Sequence, residues 1–395
     1  MEIQDKTKSY YFFSIGSFPS GNAATNRALS YMRGLVETGT DVTLYVLAPD
    51  NNQSKCSNLK ECSYKGIHIQ YTSPFLFVKK GILSKVNFCF GILKGFFSLT
   101  SVLKKNKGKS PIFLLFTNPI LIWFYFIPIK LFGAKVFHER TEFPFLNKKN
   151  SLIFNFYKNH IIPRFNGIYV ISFALVDYFK TLTSNPILLL PMTVEFDRFA
   201  NYKKNQNIKY IAYCGSMYTD KDGVLDLIKS FNIIALENND ILLYLIGDNS
   251  DQNKFRIIKN TIDESPVKNR IICTGQIERD KMPELLNNAI MLVLCRPANL
   301  QAQGGFPTKL GEYLATANPV VITDVGDHTK YLKDRISAFI ARPNDPIHFA
   351  SKMQECLDDP TFALSVGKIG YQVAIEQFNY KTQALMLRKF VEDII

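Results

Sequence analysis

The chain has 395 residues, of which 47% are hydrophobic, and this suggests two domains of ordinary size rather than one. Its seven cysteines are scattered and form no CxxC pair, which indicates a reduced, cytosolic protein rather than a disulfide-stabilised one. The formal net charge of +13 lies entirely in residues 1–200, where there are 24 Lys and Arg against 11 Asp and Glu. We therefore expect the two halves to meet different partners. A basic half suits phosphates on an acceptor, an anionic membrane surface or nucleic acid.

The first half alternates short apolar runs with longer periodic segments. After the first run come the loop Gly16–Asn22 and a helix over Ala24–Thr38, which Gly39 ends. The runs that predict strands are Tyr11–Ile15, Asp41–Leu47, Ile67–Thr72, Ile112–Phe116, Lys135–Glu139 and Gly167–Ile171. Strands that alternate with helices predict parallel sheet built from βαβ units.

One apolar segment, Pro111–Ile129, has the length of a membrane span. Asn118-Pro119 divides it into a strand-like run and a helix-like run, and Lys130 and Gly133 end the second part. We therefore predict a strand, a turn and a buried helix there. The polar N-terminus leads directly into a strand, and no secretory signal is visible, which favours a cytoplasmic location.

The second half repeats the same alternation after the polar stretch Asp197–Lys209. Its predicted strands are Tyr210–Cys214, Ile241–Ile246, Ile271–Thr274, Met291–Cys295 and Pro319–Thr323. Its predicted helices are Gly223–Leu236, Pro283–Asn288, Lys309–Thr316 and Thr382–Ile394. We expect Rossmann-like domains over 1–195 and 196–378, and a C-terminal helix over 379–395 that packs back toward the N-terminal domain.

The densest set of functional residues lies in Gly304–Gly326, GGFPTKLGEYLATANPVVITDVG. Paired glycines allow a backbone to approach a ligand, and Pro307 stands where a loop enters a helix, whose free amides suit a diphosphate. Lys309 adds a positive charge, and Glu312, one turn further on, could accept hydrogen bonds from ribose hydroxyls. The alternative is a Gly-Pro loop before a core helix that has Lys and Glu on its surface.

This segment resembles the donor-site signature of the retaining GT-B glycosyltransferases of the group 1, or family 4, class. Other segments resemble parts of that family in its order: LPMTVEFDRF, CGSMYTDKDGVLDLIKSF, LYLIGD and TGQIERDKMPELLNNAIMLVL. The resemblance implies an α/β GT-B fold, with two Rossmann-like domains facing each other across a cleft. It also implies donor-binding residues at Gly215, Lys221, Gly247, Asp248, Gly305, Phe306, Pro307, Thr308, Lys309 and Glu312.

Two positions depart from the family pattern. Glu312 matches the second of two glutamates separated by seven residues, but Gly304 stands in place of the first. Ser216 stands where an Arg often follows the glycine of the phosphate loop. The lost Glu normally contacts the donor sugar, and the lost Arg leaves Lys221, with Lys309, as the main phosphate charge. Lys221 is therefore also a catalytic candidate, because it would stabilise the leaving diphosphate.

The first half has two weaker signals. Gly21 and Asn22, between the first strand and helix, could bring backbone amides to a phosphate or an acceptor, although an ordinary loop explains them equally well. The run HERTEF follows the fifth predicted strand, where the resemblance implies that a His faces the transferred sugar. His138 is thus a catalytic candidate and Arg140 an acceptor or phosphate candidate, with a structural His as the alternative. HExxE has no third zinc ligand, so no metal site is expected.

Residues 62–138 hold 11 lysines and no Asp, Glu or Arg, and phenylalanines are interleaved with the lysines. This composition suits the surface of an anionic membrane, and Lys79, Lys80, Lys104 and Lys105 would contribute to it. The absence of Arg and of reader motifs argues against nucleic acid. Lysines in solvent around a buried helix are the alternative.

Together these features predict a hexosyltransferase-type enzyme. It would move a sugar from a UDP- or GDP-sugar to a glycan or lipid-linked acceptor of surface polysaccharide, with retention of configuration. The nucleotide-sugar is a substrate, and no cofactor is expected. The location is cytoplasmic, with peripheral binding to the inner face of the cell membrane. A catalytically silent GT-B subunit, which the lost Glu and Arg favour, and a sugar-nucleotide epimerase are the alternatives.

Overall fold

The computed structural model describes residues 8–50, 52, 60–73, 81–144, 151–200, 202, 208–217 and 222–395. The chain divides into two compact units. Unit 1 contains residues 1–193 and 380–395, and unit 2 contains residues 194–379. From the sequence we expect these divisions after residues 195 and 378.

The centre of unit 1 is an eight-stranded sheet in the order β3-β4-β2-β1-β5-β6-β7-β8. Its strands are β1 (Ser9–Ser14), β2 (Asp41–Val46), β3 (Glu61–Tyr64), β4 (Ile67–Tyr71), β5 (Ile112–Leu114), β6 (Val136–Arg140), β7 (Gly167–Val170) and β8 (Ile187–Leu189). All neighbouring pairs are parallel except β3 and β4. The direction of winding reverses between β1 and β5, which marks the switch point of this sheet.

Among the described residues, the α-helices of unit 1 are α1 (Ala23–Glu37), α2 (Ile82–Lys105), α3 (Pro119–Leu131), α4 (Leu152–Phe156), α5 (Phe173–Lys180) and α14 (Tyr380–Glu392). A π-helical turn, Tyr157–Ile161, continues α4. Asn118 caps α3, accepting hydrogen bonds from the amides of Ile120 and Leu121, and Pro119 occupies the first position.

The C-terminal helix α14 packs against α1 in unit 1. A side chain at Gly34 would overlap the Cβ of Ala384, so the two helices approach closely there. The phenol of Tyr380 donates to the carboxylate of Glu37 at 2.9 Å. Leu387 and Val391 join the buried cluster that covers one face of the sheet.

Unit 2 is built on a six-stranded parallel sheet in the order β11-β10-β9-β12-β13-β14. Its strands are β9 (Tyr210–Cys214), β10 (Leu242–Ile246), β11 (Ile271–Gly275), β12 (Met291–Leu294), β13 (Val320–Thr323) and β14 (Phe339–Ala341). Its helices are α6 (Val224–Ile234), α7 (Gln252–Asp263), α8 (Met282–Asn288), α9 (Leu300–Gly304), α10 (Thr308–Leu314), α11 (His328–Tyr331), α12 (Pro346–Asp358) and α13 (Pro360–Phe378). The switch point lies between β9 and β12.

The predicted strand, turn and helix of Pro111–Ile129 are confirmed, because β5 ends at Leu114 and α3 begins at Pro119. The prediction that this helix is buried is wrong in part, since Ile120 is 71% exposed and Ile127 is 48% exposed. Several elements were not predicted: the short strands β3, β8 and β14 and the long helices α2, α12 and α13. Helix α2 is the most consequential of these. Polar residues interrupt its 24-residue apolar sequence only briefly, so the sequence shows no clear amphipathic period that would predict a helix there.

Candidate donor site and other predicted site residues

Three of the predicted donor residues, Gly215, Gly247 and Lys309, meet at the carboxyl end of β9, beside the switch point where parallel sheets of this kind bind ligands. Gly215 directly follows β9, and a side chain there would overlap the ammonium of Lys309 and the phenol of Tyr213. A side chain at Gly247 would in turn overlap the Gly215 carbonyl. Only glycine permits these approaches, so the two glycines have a steric reason for their positions.

A buried charge cluster lies beneath Gly215. The carboxylate of Asp222 forms an ion pair with Lys309 and lies 3.7 Å from the guanidinium of Arg296. The phenol of Tyr213 lies 3.0 Å from the same carboxylate, as a donor. The Asp222 and Arg296 side chains are almost fully buried, whereas that of Lys309 is 17% exposed.

Two cations share one carboxylate in this cluster, which leaves one positive charge in excess. Burial alone would raise the pKa of Asp222, but Lys309, and more weakly Arg296 and the Tyr213 hydrogen bond, hold that pKa below its ordinary value. Asp222 is therefore ionised at neutral pH. Because Arg296 is buried and Lys309 is partly exposed, Lys309 is the cation that an anionic ligand can reach.

Helix α10 is held against the end of β9 by Tyr313. The Tyr313 phenol accepts from the amide of Cys214 at 2.6 Å and donates to the carbonyl of the same residue at 3.3 Å. The loop Gly305–Pro307 leads into this helix, and Thr308 is its first residue. The Phe306 side chain is buried between the rings of His328, Tyr331 and Phe378, so only its backbone is available to a ligand.

Glu312 takes part in a chain of ion pairs within unit 2. Its carboxylate Oε1 accepts from Arg198 at 2.8 Å, and Arg198 also donates to the carbonyl of Arg279 at 2.8 Å. Arg279 in turn pairs with the buried Glu195 at 2.7 Å. The side chain of Glu312 is 26% exposed, so Arg198 fixes it and leaves it accessible to a ligand.

Two other predicted donor residues are less informative. Asp248 follows β10, and its carboxylate accepts from the amide of Ser250 at 3.0 Å, which stabilises the turn. Lys221 lies outside the described residues. A cavity of about 250 Å³ is lined by Gly223, Asp226, Lys229 and Lys254 and by apolar residues that include Met217 and Pro297. Its described lining includes none of the residues 304–312.

The candidates in the first loop of unit 1 have a local structural role. The Asn22 side chain caps α1, accepting from the amides of Ala24 at 3.0 Å and Thr25 at 3.2 Å. A side chain at Gly21 would overlap the Thr25 hydroxyl, so glycine is required for the turn into the helix. Both residues are exposed. Cap and turn explain this pair without a ligand, and phosphate binding stays a prediction.

His138 and Arg140 lie on the same side of β6 in unit 1. His138 is fully buried, its Nδ1 donates to the carbonyl of Leu114 at 2.8 Å, and its ring stacks on Phe165. Burial, and then the charge of Arg140, lower its pKa to about 3, so the ring is neutral at physiological pH. This arrangement gives His138 a packing role, and its catalytic role stays a prediction.

Arg140 is also buried, and its guanidinium forms no ion pair with a carboxylate in the part of unit 1 that the structure describes. Its Nη2 contacts the carbonyl of Glu142 at 3.4 Å, and the guanidinium lies 5.9 Å from the centre of the Tyr157 ring. The Nε of Arg140 and the Nε2 of His138 have no hydrogen-bond partner among the described residues. Arg140 is 6% exposed, against 1% for Arg296, so it keeps a small accessible area, and its guanidinium has unused donor capacity for an anion.

The charge-bearing groups do not form a metal site in the described ranges. There, no three His, Cys, Asp or Glu side chains come close enough together to hold a metal ion. The ion pairs described above use the acidic groups for contacts with Arg and Lys.

Residues 208–359 match the family model described as glycosyl transferases group 1. Similar solved structures include sucrose-phosphate synthase from Thermosynechococcus elongatus, with a TM-score of 0.76, 16% identity, and coverage of 98% of this chain and 99% of the other. A glycosyltransferase from Rickettsia africae has a TM-score of 0.73 and 16% identity, with coverage of 98% of this chain and 99% of the other. HepE from Anabaena in complex with UDP-glucose has a TM-score of 0.69 and 11% identity, with coverage of 98% of this chain and 99% of the other.

The protein has the GT-B fold. The matched segment of this GT-B protein covers β9 to α12 and therefore contains the Asp222–Lys309 cluster and Glu312. Domain match and fold together support a glycosyltransferase. A search of curated protein sequences found no match.

Three residues of unit 2 escaped the sequence interpretation: Tyr213, Asp222 and Arg296. Asp222 stands beside Gly223, whose φ of +65° and close approach to the Cys295 carbonyl require glycine. Arg296 follows the apolar run of β12, where a charged residue before a proline is a signal of the strand's carboxyl end. Ligands of open parallel sheets bind at the carboxyl ends of the strands beside the switch point, so this signal marks Arg296 as a candidate site residue.

Proposed function

We propose that the protein is a nucleotide-sugar-dependent glycosyltransferase. It transfers a hexose-like unit from a UDP- or GDP-sugar to a hydroxyl of a glycan or lipid-linked acceptor, in the cytoplasm. The bond between the anomeric carbon and the diphosphate oxygen breaks, and a new glycosidic bond forms to the acceptor oxygen. The nucleoside diphosphate leaves with the electron pair of the broken bond, and the acceptor loses its proton.

The observation that carries this proposal is the net positive cluster of Asp222, Lys309 and Arg296 at the β9–β12 switch point. A leaving diphosphate gains negative charge as its bond to the sugar breaks, so a fixed cation at that point stabilises the transition state more than the ground state. Arg296 holds Asp222 in place, and Lys309 is thereby able to turn toward the diphosphate. The presence of two cations in the cluster offsets the loss of the Arg that Ser216 replaces.

Glu312 is proposed to accept hydrogen bonds from the ribose hydroxyls. Arg198 occupies its Oε1, and the Oε2 accepts no hydrogen bond from the described residues. The carboxylate is therefore held at a fixed angle with acceptor capacity left. HepE was solved in complex with UDP-glucose, and the trehalose-6-phosphate enzyme of E. coli with UDP-2-fluoro glucose. A UDP-sugar is for that reason the first donor to test.

The acceptor is proposed to carry an anionic group that Arg140 binds. Arg140 is buried without a carboxylate partner in the described part of unit 1, and its planar guanidinium suits a phosphate oxygen. A lipid-linked sugar diphosphate fits this chemistry better than a neutral glycan does. His138, neutral and fixed by the Leu114 carbonyl, would help to orient Arg140.

The reaction is proposed to retain the anomeric configuration, with a donor phosphate oxygen taking the acceptor proton. This route needs no general base from the protein. It agrees with the two carboxylates described above, since Asp222 pairs with Lys309 and Glu312 pairs with Arg198. Product analysis by NMR tests this point directly, and an inverted anomeric centre would contradict it.

The proposal is tested by a thermal-shift screen of UDP-, GDP- and ADP-sugars, followed by measurement of nucleoside diphosphate release from the donor that stabilises the protein. We expect one nucleotide class to raise the melting temperature in a saturable manner, because ligands that bind the native state stabilise it. Slow release of the diphosphate without acceptor would then distinguish an enzyme from a silent subunit. Binding without any release, with acceptor mixtures present, would favour the silent subunit.

A further inference from the structure

The helices α2, α3 and α4 of unit 1 expose an unusual number of large apolar side chains. Leu131 is 80% exposed, Phe97 is 68% exposed, and Leu152 is 88% exposed. We call this surface the apolar face. Its members are Ile82, Leu83, Val86, Phe88, Phe90, Leu93, Phe97, Ile120, Trp123, Ile127, Leu131, Phe132, Leu152 and Ile153. Large apolar groups gathered on neighbouring elements mark an interaction surface rather than ordinary exposure.

The three helices are in contact with each other, so the apolar face is continuous. The rings of Phe96 on α2 and Phe124 on α3 stack at 4.4 Å between centroids. The Tyr125 phenol on α3 donates to the carbonyl of Ile92 on α2 at 2.9 Å. Trp123 on α3 packs edge-on against Phe156 on α4 at 5.3 Å.

The charged residues of α2, α3 and the loop between α2 and β5 are all lysines. Residues 62–138 contain no Asp or Glu, and the described part of this stretch includes exposed lysines on α2 and α3 and on the loop between α2 and β5. These lysines are Lys85, Lys94, Lys104, Lys105, Lys107, Lys109 and Lys130. Lys79 and Lys80 lie outside the described residues. Apolar side chains flanked by lysines are complementary to an anionic lipid surface, whose headgroups are negative and whose interior is apolar.

Helix α2 is long and apolar enough to cross a membrane, with a mean hydropathy of 1.5 in its best window, but a third of that window is buried in unit 1. Gly91 approaches the Leu47 carbonyl so closely that any side chain would overlap it, and Thr72 donates to the carbonyl of Gly91 at 2.7 Å. Asn87 accepts from the Ser73 hydroxyl at 2.6 Å. A spanning α2 would lose these contacts, whereas an α2 lying in the membrane plane keeps them.

We propose that the apolar face of α2, α3 and α4 docks unit 1 onto an anionic lipid bilayer, in the plane of the membrane, with its side chains at the headgroup–acyl boundary and its lysines among the lipid phosphates. This proposal does not depend on the donor site, which lies in unit 2. It identifies a lipid bilayer as the occupant of the surface, and a protein partner or a membrane-spanning α2 is an outcome of the test.

The chain contains a single tryptophan, Trp123, and it belongs to the apolar face. Its fluorescence therefore reports on this surface without any label. We expect vesicles of phosphatidylcholine and phosphatidylglycerol to shift the emission to shorter wavelength, and vesicles of phosphatidylcholine alone to shift it far less. Lipids brominated close to the glycerol backbone should quench the emission more than lipids brominated near the chain ends.

Each outcome of this titration decides the proposal. Binding in a flotation assay without a change in Trp123 emission would overturn it, because another surface would then be responsible. Stronger quenching by lipids brominated near the chain ends would overturn the in-plane arrangement. Absence of binding to anionic vesicles at low salt would overturn the lipid occupant and favour a protein partner.

Matched variants separate the apolar and the charged contributions. Flotation should be abolished by the combined substitutions Leu93→Ser, Phe97→Ser and Ile127→Ser. It should persist after the combined substitutions Leu236→Ser, Ile336→Ser and Ile347→Ser, whose sites in unit 2 are at least as exposed.

Replacing Lys85, Lys94, Lys104 and Lys105 by Gln should weaken binding roughly 100- to 1,000-fold at low salt. The same exchange at Lys259, Lys268, Lys333 and Lys368, exposed lysines of unit 2 that form no part of α2, α3 or α4, should leave binding within about threefold. Unchanged binding of the first lysine variant would contradict the proposal, and near-unchanged melting temperatures show that the variants fold.

Discussion

The charge cluster beneath Gly215 makes a sharp prediction for Lys309→Met. This change keeps the length of the side chain and removes one positive charge, so the cluster goes from a net charge of +1 to zero. A hydrogen bond to a charged group contributes about 1.5–3 kcal/mol. Affinity for UDP or GDP should therefore fall by roughly 10- to 150-fold, since about 1.4 kcal/mol corresponds to a factor of ten. Asp222 retains Arg296 at 3.7 Å and Tyr213 at 3.0 Å, so the variant should still fold.

The assay is isothermal titration of the nucleoside diphosphate that stabilises the wild-type protein. Lys259→Met, an exposed lysine of α7, is the matched control and should bind the nucleotide like the wild type. Asp222→Asn gives the opposite test of sign: it raises the cluster charge to +2, so it should lower the melting temperature without weakening nucleotide affinity. Equal affinities of wild type and Lys309→Met in folded protein would refute the electrostatic role of Lys309.

Other predictions address the remaining residues. Glu312→Ala should weaken nucleotide binding by about 1.5–3 kcal/mol in titration calorimetry, and an unchanged affinity would remove it from the donor site. Lys221→Ala should lower turnover more than melting temperature, and normal turnover would exclude it as a catalytic group. Arg140→Gln should raise the KM for a diphosphate-linked acceptor while donor affinity stays constant, and an unchanged KM would contradict anion binding there. Burial lowers the pKa of His138 to about 3 and of His328 to about 4. The unfolded chain therefore binds more protons than the folded protein below about pH 6.5. As the pH falls from about 6.5 to 4, each of these two histidines should lower the free energy of unfolding by on the order of 1.4 kcal/mol per pH unit. Denaturant titrations that show no such loss would contradict the neutral, buried state.

Much of the fold could be predicted because its signals are local. The apolar run Tyr210–Cys214 is bounded by polar residues on one side and a glycine on the other, and it forms β9 with the predicted limits. Asn118-Pro119 has a cap and a first-turn proline in sequence, and the start of α3 follows from these two residues. Boundaries elsewhere, including the end of β5, shift by one or two residues.

The elements that escaped prediction depend on long-range contacts. The burial of Gly91 in α2 depends on Leu47, 44 residues away in sequence, and no local pattern reports it. The same reason hid Arg296, since its importance comes from Asp222 across the switch point. Phe306 was predicted as a donor residue from its neighbours in sequence, whereas its side chain is held by three rings from α11 and α13.

The central claim is that unit 2 binds a nucleotide-sugar through the Asp222–Lys309–Arg296 cluster and activates its diphosphate as a leaving group. The most direct measurement is diphosphate release from UDP- and GDP-sugars by wild type and by Lys309→Met, followed with a coupled assay under donor saturation. We predict release by the wild type and a loss of at least about tenfold in the variant, because the removed charge acts on the leaving group. Equal rates in both proteins, or no release and no nucleotide binding by the wild type, would contradict the account.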